Sequence, residues 1–132
     1  MKKTYAPIPL ETERIGKIIL DAAYKVHTAL GPGLMESVYE ACVAYEVRKQ
    51  NLLVETQVVL PVKYDEVIVK TGLRLDMWVE KLVIVEFKVV ETMIPLYDAQ
   101  LLTYLKLTEN RLGFLMNFNV KRLKHGVKRM VY

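Results

Sequence analysis

The sequence predicts an α/β fold in which a mixed β-sheet is flanked by helices, in the order ααβββαββ. Three observations lead there. Two N-terminal stretches repeat apolar residues at helical spacing, three β-prone runs follow in succession, and a proline-led helical stretch separates these from two further short apolar runs.

Residues Met1 to Leu10 hold two prolines and little periodicity, and read as an extended arm. From Glu11 to Leu30 the pattern becomes helical, with Ile15, Ile19, Ala22, Ala23 and Val26 recurring at i, i+3, i+4 spacing. Gly31-Pro32-Gly33 stops that helix, and a second one is expected over about Leu34 to Gln50, with Val38, Tyr39, Cys42 and Tyr45 on its inner side. Leu52 to Tyr64 is β-branched and partly alternating, bent or ended near Pro61; Asp65-Glu66 makes a turn. Val67 to Val79 and Leu82 to Val90 are two more strands, joined tightly at Glu80-Lys81. Pro95 suits the first position of a helix running to about Thr108. Phe114 to Val120 is a fourth strand, and Arg122 to Tyr132 pairs back on it as a short hairpin around His125-Gly126. No linker or repeat divides the 132 residues, so a single domain is expected.

Composition narrows the function classes. The chain is 52% hydrophobic and carries a net charge of +4, compatible with a polyanionic partner without requiring one. Cys42 is the only cysteine, which excludes an intrachain disulfide and a cysteine-based zinc site. Neither a signal peptide nor an apolar run of membrane-spanning length is present, so a cytoplasmic protein is expected, with no membrane partner. Glycine-rich phosphate loops and nucleophile elbows are absent as well.

Chemistry concentrates in Arg74 to Lys88, RLDMWVEKLVIVEFK. Each of the two paired strands carries an acid where a buried strand would disfavour one: Asp76 in the first, Glu86 in the second. Lys88 lies two residues beyond Glu86 and shares its strand face. Folding the hairpin brings Asp76 opposite Glu86 to within about one residue of register. Two carboxylates and an ammonium then share one face, with Leu75, Met77, Val83, Val85 and Phe87 on the other. Such a face is poor for stability and well suited to a metal.

The pattern resembles the PD-(D/E)XK nuclease superfamily, with Leu75 standing where that superfamily often has proline. LGPGLMESVYEACVAYE, containing Gly33-x-x-Glu36-x-x-Tyr39, is similar to the signature of the small prokaryotic GxxExxY branch. By itself Glu36 is a carboxylate favoured by a helix N-terminus; in the superfamily a glutamate on the helix before the sheet is often an additional metal or active-site acid, and Glu36 is the matching position. Gln100-x-x-x-Tyr104, in DAQLLTYLKLT, matches the QxxxY motif of RecB-type exonucleases and sets both groups on one helical face.

The resemblance implies a restriction-endonuclease-like core and a metal-dependent nuclease acting on DNA, less readily RNA. It implies Mg²⁺ or Mn²⁺ held by Asp76, Glu86, the Phe87 carbonyl and Glu36. Lys88 stabilises charge at the phosphate, and Gln100 and Tyr104 orient the lysine and the strand. Lys121, Arg122, Lys124, Lys128 and Arg129 form a candidate phosphate-tracking patch, although a charge run is also the ordinary make-up of a solvated face. A chain this small lacks the accessory domains that grip a duplex, so a homodimer would supply that surface. The alternative is a nucleic-acid-binding or assembly module that keeps the fold and hydrolyses little.

Overall fold

A computed structural model describes residues 6–132. The first half of the expected arm, residues 1–5, lies outside the described residues. Ala6 to Pro9 is irregular, and Leu10 already opens helix α1 (Leu10–Leu30), one residue earlier than expected. Helix α2 (Glu36–Arg48) follows, then strands β1 (Val54–Tyr64), β2 (Val67–Val79) and β3 (Val83–Lys88). Helix α3 (Pro95–Thr108) leads into β4 (Leu112–Asn117), a single 3₁₀ turn (Leu123–His125) and β5 (Val127–Val131). The predicted element order is the observed one. The fourth strand ends three residues sooner than expected, because the chain leaves the sheet at Asn117 and returns through the 3₁₀ turn.

The five strands form one sheet in sequence order, β1-β2-β3-β4-β5. All neighbours are antiparallel except β3 and β4, which run parallel because α3 carries the chain back between them. The sheet is therefore mixed, an α/β arrangement consistent with a restriction-endonuclease-like core. Helices α1 and α2 cover one face, where Ile15, Ile19, Tyr39, Val43 and Val47 pack on Val83, Val85, Phe87 and Phe114. On the other face Leu101 and Leu105 of α3 pack on Ile84 and Leu115. Among the described residues no helix is long and apolar enough to cross a membrane.

Local chemistry explains the joints. Gly31 (φ 71°) and Gly33 (φ 100°) take the left-handed backbone that the α1–α2 corner needs. Tyr39 clasps that corner, its hydroxyl donating to the Gly31 carbonyl (2.6 Å) and accepting the Leu34 N–H (3.0 Å). The buried stripe of α2 is Tyr39, Val43, Ala44 and Val47, so Val38 and Tyr45 face outward rather than inward as expected. The i, i+4, i+8 row that starts at Tyr39 excludes them. At the β2–β3 turn Glu80 and Lys81 both have positive φ, and the Leu82 N–H returns to the Val79 carbonyl at 2.9 Å. Strand β1 continues through Pro61 with a bulge between Leu60 and Val62, opposite Gly72. A Cβ on Gly72 would lie 2.4 Å from a Val62 side-chain carbon, so only glycine lets the strands pass there.

Strand β2 rotates its faces at Asp76. Leu73 and Leu75 pack on the α3 side, whereas Met77 and Val79, of the same parity, pack on the α1–α2 side. Leu75 is thus not on the Met77 face, as simple alternation predicted. The pairing with β1 skips Gln57, which has φ 52°, and the pairing with β3 stops at Met77–Val85. An interrupted ladder on both sides permits the extra local twist.

Candidate functional site

Where the β2–β3 ladder stops, side chains replace the backbone acceptors. The Asp76 N–H donates to Glu86 Oε2 (2.8 Å), and the Phe87 N–H donates to Asp76 Oδ2 (2.9 Å). Each carboxylate thereby satisfies an amide of the opposite strand that the diverging backbones would leave unpaired. Asp76 is 8% exposed and Glu86 5%. Two acids are fixed side by side at a cleft of about 420 Å³, each with a second oxygen that makes no hydrogen bond among the described residues.

Glu36, Lys88, Gln100 and Tyr104 line the same cleft. All six residues singled out as a candidate centre therefore meet there, brought from α2, β2, β3 and α3. Glu36 arrives because the Tyr39 clasp fixes the corner that starts α2. Lys88 arrives because the last residue of β3 shares strand parity with Glu86. No ion pair with Asp76 or Glu86 holds it; its Nζ sits 4.5 Å from the centre of the Tyr97 ring. Gln100 and Tyr104 project from α3 one turn apart.

The electrostatics are those of a site with surplus negative charge. Burial, and then the neighbouring Asp76 charge, push the Glu86 carboxyl up from 4.5 to about 8, against the opposing pull of its Asp76 amide bond, Lys88 and Arg74. Partial desolvation at the cleft mouth, and then Asp76, raise Glu36 as well. Tyr104 is raised by burial and by the Glu86 and Asp76 charges.

A divalent cation fits this donor set in part. Hard carboxylate oxygens suit Mg²⁺ or Mn²⁺, and Mg²⁺ commonly takes one or two carboxylates and keeps its remaining waters. Asp76 and Glu86 meet that requirement and lack a compensating ion pair. Glu36 does not close a ready-made cage with them: among the described residues no three His, Cys, Asp or Glu side chains gather at metal-binding distance. Phe87 buries its ring in the core and lines an adjoining cleft of about 410 Å³ with Glu36, Arg74 and Asp76.

Two residues of the site escaped the sequence reading. Arg74 lines both clefts, and its charge acts on Glu36, Glu40, Glu86 and Tyr104. Its position two before Asp76, on the same strand parity, was the available signal. Tyr97 precedes Gln100 by three and Tyr104 by seven, which sets it on their side of α3.

The expected basic patch divides in two. Lys128 pairs with Asp98 (2.9 Å) and Arg129 with Glu13 (2.7 Å). Successive β5 residues point to opposite sheet faces, so these two cations meet α3 and α1 respectively. Lys121, Arg122 and Lys124 stay together on the loop before β5. His27 is buried with its Nε2 2.8 Å from the Val120 carbonyl, and Trp78 donates to Asn110 Oδ1 (2.8 Å); both ring nitrogens serve packing.

Over residues 13–130 the chain matches the family model of the PD-(D/E)XK nuclease superfamily. No curated protein and no solved structure matches it.

Proposed function

The chain belongs to the PD-(D/E)XK nuclease superfamily, and from that premise we propose that it is a metal-dependent nuclease of the GxxExxY branch that hydrolyses phosphodiester bonds of DNA. The observation that carries the proposal is the convergence of Glu36, Asp76, Glu86, Lys88, Gln100 and Tyr104 on one cleft. Nucleases of the superfamily generally use a divalent ion. Bound here, Mg²⁺ or Mn²⁺ supplies Lewis-acid polarisation of the phosphate and lowers the pKa of water.

The chain's own residues do the rest. Asp76 and Glu86 hold the ion, with Glu36 and the Phe87 carbonyl as further ligands, directly or through water. Their fixed geometry comes from the reciprocal bonds to the Asp76 and Phe87 amides, so little reorganisation is needed on binding. Lys88 neutralises charge developing on the phosphate oxygens, with its ammonium steered by the Tyr97 ring. Gln100 and Tyr104 orient Lys88 and the nucleic-acid strand.

Cleavage of linear, supercoiled and single-stranded DNA, and of RNA, tests this with Mn²⁺, Mg²⁺ or EDTA. Hydrolysis should require metal and fall roughly 100- to 1,000-fold in Lys88→Ala, on the scale seen when one transition-state charge stabiliser is removed. Glu86→Ala should abolish it. Absence of cleavage in the wild type, or cleavage that survives in both folded variants, would transfer the assignment to a binding module. That second reading draws on Lys121, Arg122 and Lys124, which have no ion-pair partner among the described residues.

A further inference from the structure

A separate cleft of about 510 Å³ opens where α1 meets the loop after β4. Tyr24 and Thr28, one turn apart on α1, form one side, and Lys121, Arg122 and Lys124 form the other. Among the described residues no carboxylate lines it, and none of the three cations has an ion-pair partner.

The loop that presents these cations is firmly anchored. Leu123 is buried between Arg122 and Lys124, and His27 binds the Val120 carbonyl. Phe118 stacks on Tyr39 with ring centres 4.5 Å apart and gives its N–H to the Lys88 carbonyl. Those contacts also place the cleft. Lys88 ends β3 and Asn117 ends the parallel β4, so the basic loop leaves the C-terminal end of β4, beside the end of β3 that carries Lys88 into the six-residue centre.

Charge and shape together identify a ligand class. The C-terminus of α1 ends at this cleft and carries roughly half a negative charge. One cation would more than offset that, and three leave a surplus of about two and a half positive charges. A polyanion satisfies the surplus. The half-exposed Tyr24 ring beside it offers a stacking surface, the second component of sequence-tolerant single-strand binding. A base held in a duplex cannot reach such a ring.

We propose that this cleft binds an unpaired stretch of the nucleic-acid substrate, with its phosphates on Lys121, Arg122 and Lys124 and a base stacked on Tyr24. The inference rests on nucleic acid being the substrate of the neighbouring centre, but not on that centre being active.

The experiment is anisotropy titration of a labelled oligothymidylate and of a blunt duplex, on the full chain in EDTA, so that hydrolysis plays no part. Wild type should bind the single strand more tightly than the duplex. The logarithm of its affinity should fall with the logarithm of salt by about 0.7 per phosphate contacted. Replacing Lys121, Arg122 and Lys124 together by alanine should reduce that slope by roughly two units. Tyr24→Ala should weaken single-strand binding roughly fivefold to a hundredfold, whereas Tyr24→Phe retains it. Unchanged melting curves establish that the variants fold. Equal affinity for duplex and single strand overturns the proposal, as does undiminished binding by Tyr24→Ala or by the triple variant. If binding behaves as stated and wild type cleaves nothing with metal, the nuclease assignment fails and this one stands.

Discussion

Replacing Glu86 by glutamine should make the metal-free protein more stable above neutral pH. The substitution keeps an oxygen to accept the Asp76 N–H and removes a charge that the site tolerates poorly. Burial and the Asp76 charge raise the Glu86 carboxyl from 4.5 to about 8. Between those values the native state holds a proton that the unfolded chain has released, so wild-type stability must fall as pH rises. The decline is at most about 1.4 kcal/mol per pH unit and amounts to about 4–5 kcal/mol across the whole window. The raised Glu36 carboxyl adds a smaller decline of the same sign. Glutamine cannot titrate. The two proteins should therefore respond alike below about pH 4.5 and diverge up to pH 8, with the variant ahead by about 4 kcal/mol at the top. Urea unfolding at successive pH values in EDTA measures this directly. Saturating Mg²⁺ or Mn²⁺ should then stabilise the wild type, by about 2.7 kcal/mol at 100 times Kd. The variant, lacking one anionic ligand, should gain much less. A constant difference between the two proteins from pH 5 to 8.5 would refute the account of Glu86 as a proton-holding acid. No metal response in the wild type would remove the reason for tolerating it.

Three further substitutions probe how the centre is held. Tyr39→Phe removes the hydroxyl that bonds both Gly31 and Leu34, and should cost about 1–3 kcal/mol in urea unfolding. It should also lower cleavage, since the corner it clasps positions Glu36. Asn117→Ala deletes a buried amide that accepts from the Val90 and Asn119 N–H groups and donates to the Val90 carbonyl. A loss of about 2–3 kcal/mol is expected, and equal stability to wild type would show those groups finding water instead. Gly72→Ala forces a Cβ against Val62 and its backbone nitrogen, 2.7 Å away. A destabilisation of about 1–3 kcal/mol should follow, read from the urea midpoint.

Much of the architecture was legible because its causes are local. Ile15, Ile19, Ala22 and Val26 announce a helix through spacing alone, and Pro95 marks the start of α3 by its fixed φ and missing N–H. The hairpin at Glu80-Lys81 follows from two apolar runs separated by a charged step. The candidate centre was legible for a related reason: acids inside β-prone runs conflict with burial, and such conflicts mark sites. The inner face of α2 is not legible in this way, because a helix apolar on several sides offers more than one stripe. Packing into the core shared with α1 and the sheet, where Tyr39 stacks on Phe118, buries the Tyr39–Val43–Val47 row.

By itself the sequence determined the order of elements, the hairpin carrying Asp76 and Glu86, and the helical face shared by Gln100 and Tyr104. Tertiary structure alone decided the rest. Alternation could not disclose that β2 turns over at Asp76, since that depends on the positive φ of Gln57 in a neighbouring strand and on the ladder with β3 ending at Val85. Nor could it disclose that Lys128 and Arg129 are neutralised while Lys121, Arg122 and Lys124 have no ion-pair partner among the described residues. A charge's partner lies across the fold, on α3 for Lys128 and on α1 for Arg129, and no spacing along the chain encodes that distance.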